Sequence, residues 1–434
     1  MIHILNHYLW TYPIPFIMLV MGVIFTYRLR ALPQRRFYQG FLYLFERPDS
    51  KKGVSPFKGL MVAMAGTVGT GNIAGVATAI TLGGPGALFF IWMMGLLALA
   101  IKYAETWCAV RYHIKNKEGY VGGPSYYIQQ AFKGKFGLYL GMAYMLFVCG
   151  SGLGIGSMVQ SNSVASAAKV AINCPEYLTG MLLVMVVGLV VYGGIQRIAV
   201  LCAFLVPVMI VIYFSVTVGI LLLNIKQLPD VLSLVIHSAF NGQGATKGFA
   251  GASIWAAMHY GLSRGIFANE AGMGSAAIAH ASVDTHLPVR QSYIAIVGTC
   301  IDTFIVCTLT GLVVLLSGQW MDGQTGSVLT ASAIVQFIGP VGFSIVMVCL
   351  VLFALSTILS WGYYTEVVIL CFFKEWVLSI YRLIWLLGIF VGAMLDLHFV
   401  WEIADLFNGL MLVTNMMALF ILTSNSMINN VNNE

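Results

Sequence analysis

Charge is what this sequence has least of. Only 9% of its 434 residues are Asp, Glu, Lys or Arg, against about 25% in soluble chains. The side chains that would cover a soluble globule of this size are therefore missing. Hydrophobic residues make up 59% and the mean hydropathy is +0.88. Apolar runs recur along the whole length, and no polar stretch is long enough to fold separately, which predicts a single membrane domain over 1–434. Catalytic and metal-binding spacings are absent too. The eight cysteines sit almost entirely in apolar runs without a CxxC pair, which argues against disulfides and a metal site. The eight histidines make no HExxH, and His280 and His286 fall in a predicted loop, so no histidine is assigned a role. The net charge of +6 matters here through position rather than sum, and no pattern calls for nucleic acid as a partner. The N-terminal MIHILNHYLW lacks the basic region of a cleavable signal, so the first apolar run reads as a retained helix.

What is abundant is apolar length. A bilayer core about 30 Å thick needs about 20 apolar residues per helix. Runs of that kind cover 12–28, 57–81, 86–110, 137–170, 177–193, 197–223, 247–268, 291–317, 339–373, 380–396 and 400–422. They predict an all-α integral membrane protein with about 11 spans. Basic residues should collect in alternate, cytoplasmic loops. Arg28, Arg30, Arg35, Arg36, Arg47, Lys51, Lys52 and Lys58 all lie between the first two spans, which puts the N-terminus outside. Alternation then places Arg111, Lys115, Lys117, Lys133, Lys135, Arg197, Arg264, Arg290, Lys374 and Arg382 inside as well. Only Lys169, Lys226 and Lys247 fall outside, with Lys102 within the third span. The C-terminal tail, SNSMINNVNNE, should be cytoplasmic yet carries no basic residue.

The second span contains AGTVGTGNIAG, in which Gly66, Gly69, Gly71 and Gly75 stand beside Thr67, Thr70 and Asn72. Each glycine costs a helix interior about 1 kcal/mol relative to alanine. So dense a cluster suits a discontinuous helix whose unwound backbone lines a cavity or an ion. Close helix packing through the Gly71/Gly75 step is the alternative. The seventh span is interrupted in a similar way by Gly261, Gly265, Gly272 and Gly274, with Arg264, Asn269 and Glu270 nearby. Two broken helices five apart imply an inverted five-plus-five repeat, with one extra N-terminal helix lying outside it. One half would cover about 57–223 and the other about 247–422. Such repeats are typical of secondary transporters.

Gln160 and Asn162 lie deep in the fourth span, facing either another helix or a polar cavity. Ser356, Thr357 and Ser360 fall within about one turn of the ninth. Their hydroxyls either ligate a hard monovalent cation or bond their own backbone carbonyls. Lys102 and Glu105, three apart, read as a mutual pair. Glu270, Asp302 and Glu366 also sit at membrane depth, where a proton-coupling role is the alternative to a structural one.

At these residues the sequence resembles the alanine or glycine:cation symporter family, also called the sodium:alanine symporter family. The likeness rests on VGTGNIAGVATAI from Val68, GGPGALF from Gly83, KYAE from Lys102, MVQSNS from Met158, RGIFANEAGMGSAAIAHA from Arg264 and STILSWGYY from Ser356. The resemblance implies a leucine-transporter-type fold. It implies that Gly69 and Thr70 hold an amino acid together with Gln160 and Trp361, with Gly261 at the break of the seventh span. It further implies a sodium shell made of the Ala65 and Val68 carbonyls and the Ser356 and Thr357 hydroxyls.

The resulting expectation is alternating-access import of a small neutral amino acid, alanine or glycine, coupled to sodium, with no cofactor. A proton-coupled carrier and a glutamine or D-amino-acid symporter are the alternatives. Bulky Trp361 would favour the smallest side chains. A bacterial inner membrane would be the setting, with the N-terminus outside and the C-terminus inside. A channel would need a filter ring or wide polar pore, and an intramembrane enzyme would need a nucleophile–base or metal-ligand pair. Neither pattern is present in the sequence.

Overall fold

In a computed structural model of the chain, residues 2–45, 54–115, 119–191, 194–241 and 254–423 are described. The C-terminal tail, Arg47, Lys51, Lys52, Lys117, Lys247 and the start of the predicted seventh span lie outside them.

The described residues are mostly helical. Among the described residues, eight helices are long and apolar enough to cross a bilayer, and one further bent pair passes the same test together. Two shorter apolar helices, Glu176–Val191 and Gly326–Ile338, add to them. The second of these lies where no span is expected from sequence, because a helix of 13 residues is too short to register as a bilayer-length run.

The helices that carry the argument are α1 (Pro13–Arg28), α2 (Pro56–Thr67), α3 (Val76–Gly83), α4 (Ala87–Arg111) and α5 (Lys135–Leu153). They continue as α6 (Val159–Ile172), α7 (Gly194–Leu223), α8 (Ile254–Asn269), α9 (Ser275–Ala281), α10 (Gly326–Ile338), α11 (Val341–Phe372) and α12 (Leu397–Leu422). Beyond α4 the chain turns through a small antiparallel ribbon, β1 (Ile114–Lys115) and β2 (Tyr120–Val121), paired Ile114 to Val121 and Lys115 to Tyr120.

Two interruptions shape the interior. α2 opens on Ser55, whose hydroxyl accepts a bond from the Lys58 amide at 3.3 Å, and on Pro56, whose missing N–H would be unpaired there anyway. It ends at Val68, where ψ swings to 89°, and resumes as a π-helical turn over Gly71–Gly75 before α3. The two halves are bent by 49°. The glycine cluster therefore does mark a broken helix, though its glycines also admit close neighbours.

The second interruption falls at two of the four expected glycines, Gly272 and Gly274, and not at Gly261 or Gly265. α8 runs unbroken through Gly261 and Gly265 to Asn269. The chain turns at Glu270, Gly272 and Gly274, with φ of 51°, 87° and 80°, before α9. Left-handed backbone is open to glycine and strained for Glu270, so the surroundings must hold that residue in place. Gly261 packs instead: a β-carbon there would stand 2.5 Å from the Ala87 carbonyl oxygen and 2.6 Å from Phe90 Cβ, so its bare α-carbon lets α8 lie against α4. Arg264 lies inside α8, within the predicted seventh span, its guanidinium over the rings of Trp401 at 4.9 Å and Phe267 at 5.9 Å. His280, expected in a loop, is buried in α9 with Nδ1 2.8 Å from Gln291 Nε2.

The N-terminal α1 lies along α4 and reaches the last helix. The Arg28 guanidinium donates to the carbonyls of Phe420 and Thr423 at 3.3 and 3.0 Å, and Trp10 Nε1 donates to the Asp405 carbonyl at 3.0 Å.

Candidate functional site

The first break is short of hydrogen bonds in a specific way. In a continuous helix the Gly69 amide would bond to the Ala65 carbonyl and the Asn72 amide to that of Val68. Here Gly69 N donates to Asn72 Oδ1 at 3.0 Å, and Asn72 N donates to the Gly69 carbonyl at 3.2 Å. The Ala65 and Val68 carbonyls thus lose their α-helical partners at a buried position. Asn72 is itself fixed, since its Nδ2 donates to Asp302 Oδ1 at 2.5 Å.

Three side chains around this break have polar atoms with no partner: Thr70 Oγ1, Gln160 Oε1 and Thr357 Oγ1. None of the three residues is more than 2% exposed. An unsatisfied buried group costs about 1–3 kcal/mol, so three together mark a place prepared for something polar. Two of them meet at Gly69, where a β-carbon would stand 2.7 Å from Thr357 Oγ1 and 3.8 Å from both polar atoms of the Gln160 amide, and Thr70 is the next residue along the chain. The absent side chain is what leaves room there. The other Gln160 atom, Nε2, donates to the Ile155 carbonyl at 3.1 Å and orients the free oxygen.

α11 is tied to α2 beside this point. Ser360 Oγ and Tyr364 OH both donate to the Val62 carbonyl, at 2.6 and 3.2 Å. Trp361 packs against Gly156 of the π-helical turn Gly154–Met158, whose β-carbon would be 2.6 Å from Trp361 Cβ. Its indole Nε1 reaches the other break, donating to Glu270 Oε1 at 3.1 Å. Ser356 differs from Thr357, because its hydroxyl donates to the Phe353 carbonyl at 3.0 Å and lies 3.6 Å from Met209 Sδ on α7. Gly69, Thr70, Gln160, Thr357 and, through its packing, Trp361 are therefore gathered at one place. Gly261, on the α4 face of α8, is not among them.

The second break shows the opposite condition. Carbonyls of its turn are taken up by side chains from three other helices. Lys102 Nζ of α4 donates to the Glu270 carbonyl at 3.0 Å, Asn415 Nδ2 of α12 to that of Gly272 at 2.9 Å, and Tyr144 OH of α5 to that of Met273 at 2.8 Å. The Glu270 carboxylate accepts from Ser275 Oγ at 2.5 Å as well as from Trp361. Lys102 and Glu105 pair as expected, with Nζ 3.9 Å from Oε2, but each also has a nearer partner elsewhere: Lys102 has the Glu270 carbonyl, and Asn415 Nδ2 donates to Glu105 Oε1 at 2.8 Å. Asn415 carries no sequence signal of its own and lies 310 residues from Glu105, whereas Ser275 falls within the motif that starts at Arg264. Among the described residues no group of three or more His, Cys, Asp or Glu could hold a metal ion.

Residues 1–433 match the family described as the sodium:alanine symporter family. An uncharacterised transporter of Haemophilus influenzae is 40% identical over 96% of this chain and 91% of its own. The sodium/alanine symporter AgcS of Methanococcus maripaludis is 37% identical over 98% and 94%. A probable sodium/glutamine symporter, GlnT of Bacillus subtilis, is 35% identical over 97% and 87%. Among solved structures, a Na+-coupled sialic acid symporter in a substrate-bound, outward-open state superposes with a TM-score of 0.58 at 12% identity, over 92% of this chain and 86% of its own. A manganese transporter of Eremococcus coleocola gives 0.53 at 14%, over 84% and 75%. At such identities these two likenesses speak for the fold alone.

Proposed function

Since the chain belongs to the sodium:alanine symporter family, a family of multi-pass membrane transporters, we propose that it imports a small neutral amino acid, alanine or glycine, together with sodium. The single observation that carries this reading is that the unpartnered Gln160 and Thr357 oxygens meet at Gly69, next to the unpartnered Thr70 hydroxyl in the chain and beside the carbonyls released at the break. Hydroxyl and carbonyl oxygens are hard donors suited to a hard monovalent cation. The Ala65 and Val68 carbonyls with the Thr357 hydroxyl, joined by Ser356 once it leaves the Phe353 carbonyl, form the sodium shell in this reading. Gly69, Thr70 and Gln160 receive the amino acid, and Trp361 walls the cavity against larger side chains.

The same reading takes residues 1–434 as one transporter domain of about 11 spans, with the N-terminal helix peripheral. Halves of about 57–223 and 247–422 are inverted copies that rock about the two breaks. The membrane is the inner membrane of a bacterium, with the N-terminus outside and the C-terminus inside. Relatives named for alanine and for glutamine make side-chain size the discriminating variable.

Radiolabelled alanine uptake into proteoliposomes, with sodium and proton gradients imposed separately, tests the proposal. Accumulation should follow the sodium gradient, and Thr357→Ala should abolish that dependence. Uptake driven by the proton gradient alone, or sodium dependence that survives the substitution, would sink the assignment.

A further inference from the structure

The two breaks differ in who neutralises them. At the first, the Thr70 and Thr357 hydroxyls and the Gln160 amide oxygen are left without partners. At the second, Asn415 and Tyr144 serve two carbonyls with neutral donors, whereas the third, Glu270 O, receives an ammonium. Lys102 is 3% exposed, and burying an ammonium costs several kcal/mol unless its surroundings are anionic. A neutral donor would have held that carbonyl without this cost.

The surroundings explain the charge. Glu270 follows the last residue of α8, so the ammonium sits at a helix C-terminus, where the partial charge is negative. Glu105 Oε2, 3.9 Å away, has no hydrogen-bond partner. Asp302 and His280 line the same small cavity as Lys102, together with Asn269, Thr67 and Thr299. The Lys102 nitrogen thus has a carbonyl oxygen at 3.0 Å and a carboxylate oxygen at 3.9 Å, the donor types that suit a hard cation, with the Asp302 carboxylate on the same cavity.

We propose that Lys102 is a tethered cation: its ammonium fills at the second break the place of a free monovalent cation, so that one sodium suffices and removing the amine opens a second sodium site. The inference rests on the reading above that sodium binds at the first break. It assigns Lys102 a positioning role, holding the Glu270 turn and thereby the Trp361 indole that this carboxylate receives.

The test uses the full chain carrying Lys102→Gln, with wild type and Lys102→Arg alongside, in sodium or choline chloride at equal ionic strength. Two readouts are taken: melting temperature against sodium concentration, and alanine uptake against sodium. In Lys102→Gln the sodium dependence should become steeper, passing from one ion to two. Half-maximal uptake should need about tenfold more sodium, the factor corresponding to about 1.4 kcal/mol, and sodium should raise its melting temperature by more than it raises that of wild type. Lys102→Arg keeps the wild-type melting response. If Lys102→Gln folds in sodium but not in choline, the proposal is supported. Sodium dependence identical to wild type, equal destabilisation in both salts, or failure to fold in either overturns it. Wild-type uptake without any sodium dependence would instead overturn the function proposed above, while the melting response of Lys102→Gln would still judge the tethered cation.

Discussion

Thr357→Val separates a binding hydroxyl from a structural one. Valine keeps the shape of threonine and removes only the hydroxyl, which has no partner in the structure. Deleting a satisfied buried hydroxyl ordinarily destabilises a protein by about 1 kcal/mol, but an unsatisfied one already carries a penalty of about 1–3 kcal/mol. The sodium-free variant should therefore be as stable as wild type or slightly more so. Sodium binding should suffer, because a ligand oxygen worth about 1.4–2.8 kcal/mol corresponds to a 10- to 100-fold loss of affinity. The assay is thermal unfolding in detergent with sodium titrated against choline. Wild type should gain stability with sodium, and the variant should start level and gain only at much higher concentration. A variant already destabilised without sodium, or one that responds to sodium as wild type does, would refute the reasoning. Ser356→Ala is the contrast, since its hydroxyl bonds to the Phe353 carbonyl. Thr357→Val should exceed it in effect on the sodium response and fall short of it in effect on sodium-free stability.

Two glycines should behave oppositely. Gly261→Ala drives a β-carbon into the Ala87 carbonyl oxygen at 2.5 Å, an overpacking that should cost about 1–3 kcal/mol and lower the melting temperature. Gly69→Ala meets the movable Thr357 hydroxyl and no backbone, so melting should be preserved while labelled alanine no longer binds. Asn415→Ala leaves Glu105 Oε1 and the Gly272 carbonyl without the donor they share, and should lower stability by about 2–4 kcal/mol in the same melting assay. Burial beside the Ala281 carbonyl lowers the His113 pKa below 6.5 despite the hydrogen bond to that carbonyl. Its neutral ring therefore contributes stability that is complete above pH 6.5 and lost as pH falls through the lower folded value. His113→Phe, which keeps the stack on Tyr120, should flatten that acid-side loss in a pH series of melting temperatures.

Much of this was legible because lipid imposes a length. The apolar runs over 86–110, 197–223 and 339–373 became Ala87–Arg111, Arg197–Leu223 and Val341–Phe372 with little displacement. The first break was legible because Gly, Thr and Asn cluster there more densely than a helix tolerates. The second was legible at Gly272 and Gly274 but wrongly extended to Gly261 and Gly265, for an equally physical reason. A glycine that lets two helices touch, such as Gly261, and one that accepts positive φ, such as Gly272, look alike in a sequence. Local spacing found the Lys102–Glu105 pair but not the lysine's nearer partner, a carbonyl 168 residues away. Partnerships of that range, like Asn415 with Glu105 or Asn72 with Asp302, leave no trace in the spacing of one chain.

The claim on which the account turns is that ligand binds at the first break and not at the second. Structure determination of the protein with alanine and sodium addresses it directly. Amino-acid density is expected against Gly69, Thr70 and Gln160, with an ion between the Ala65 and Val68 carbonyls and Thr357 Oγ1. Density seated instead on the Glu270–Gly274 turn, with Thr70, Gln160 and Thr357 untouched, would contradict it.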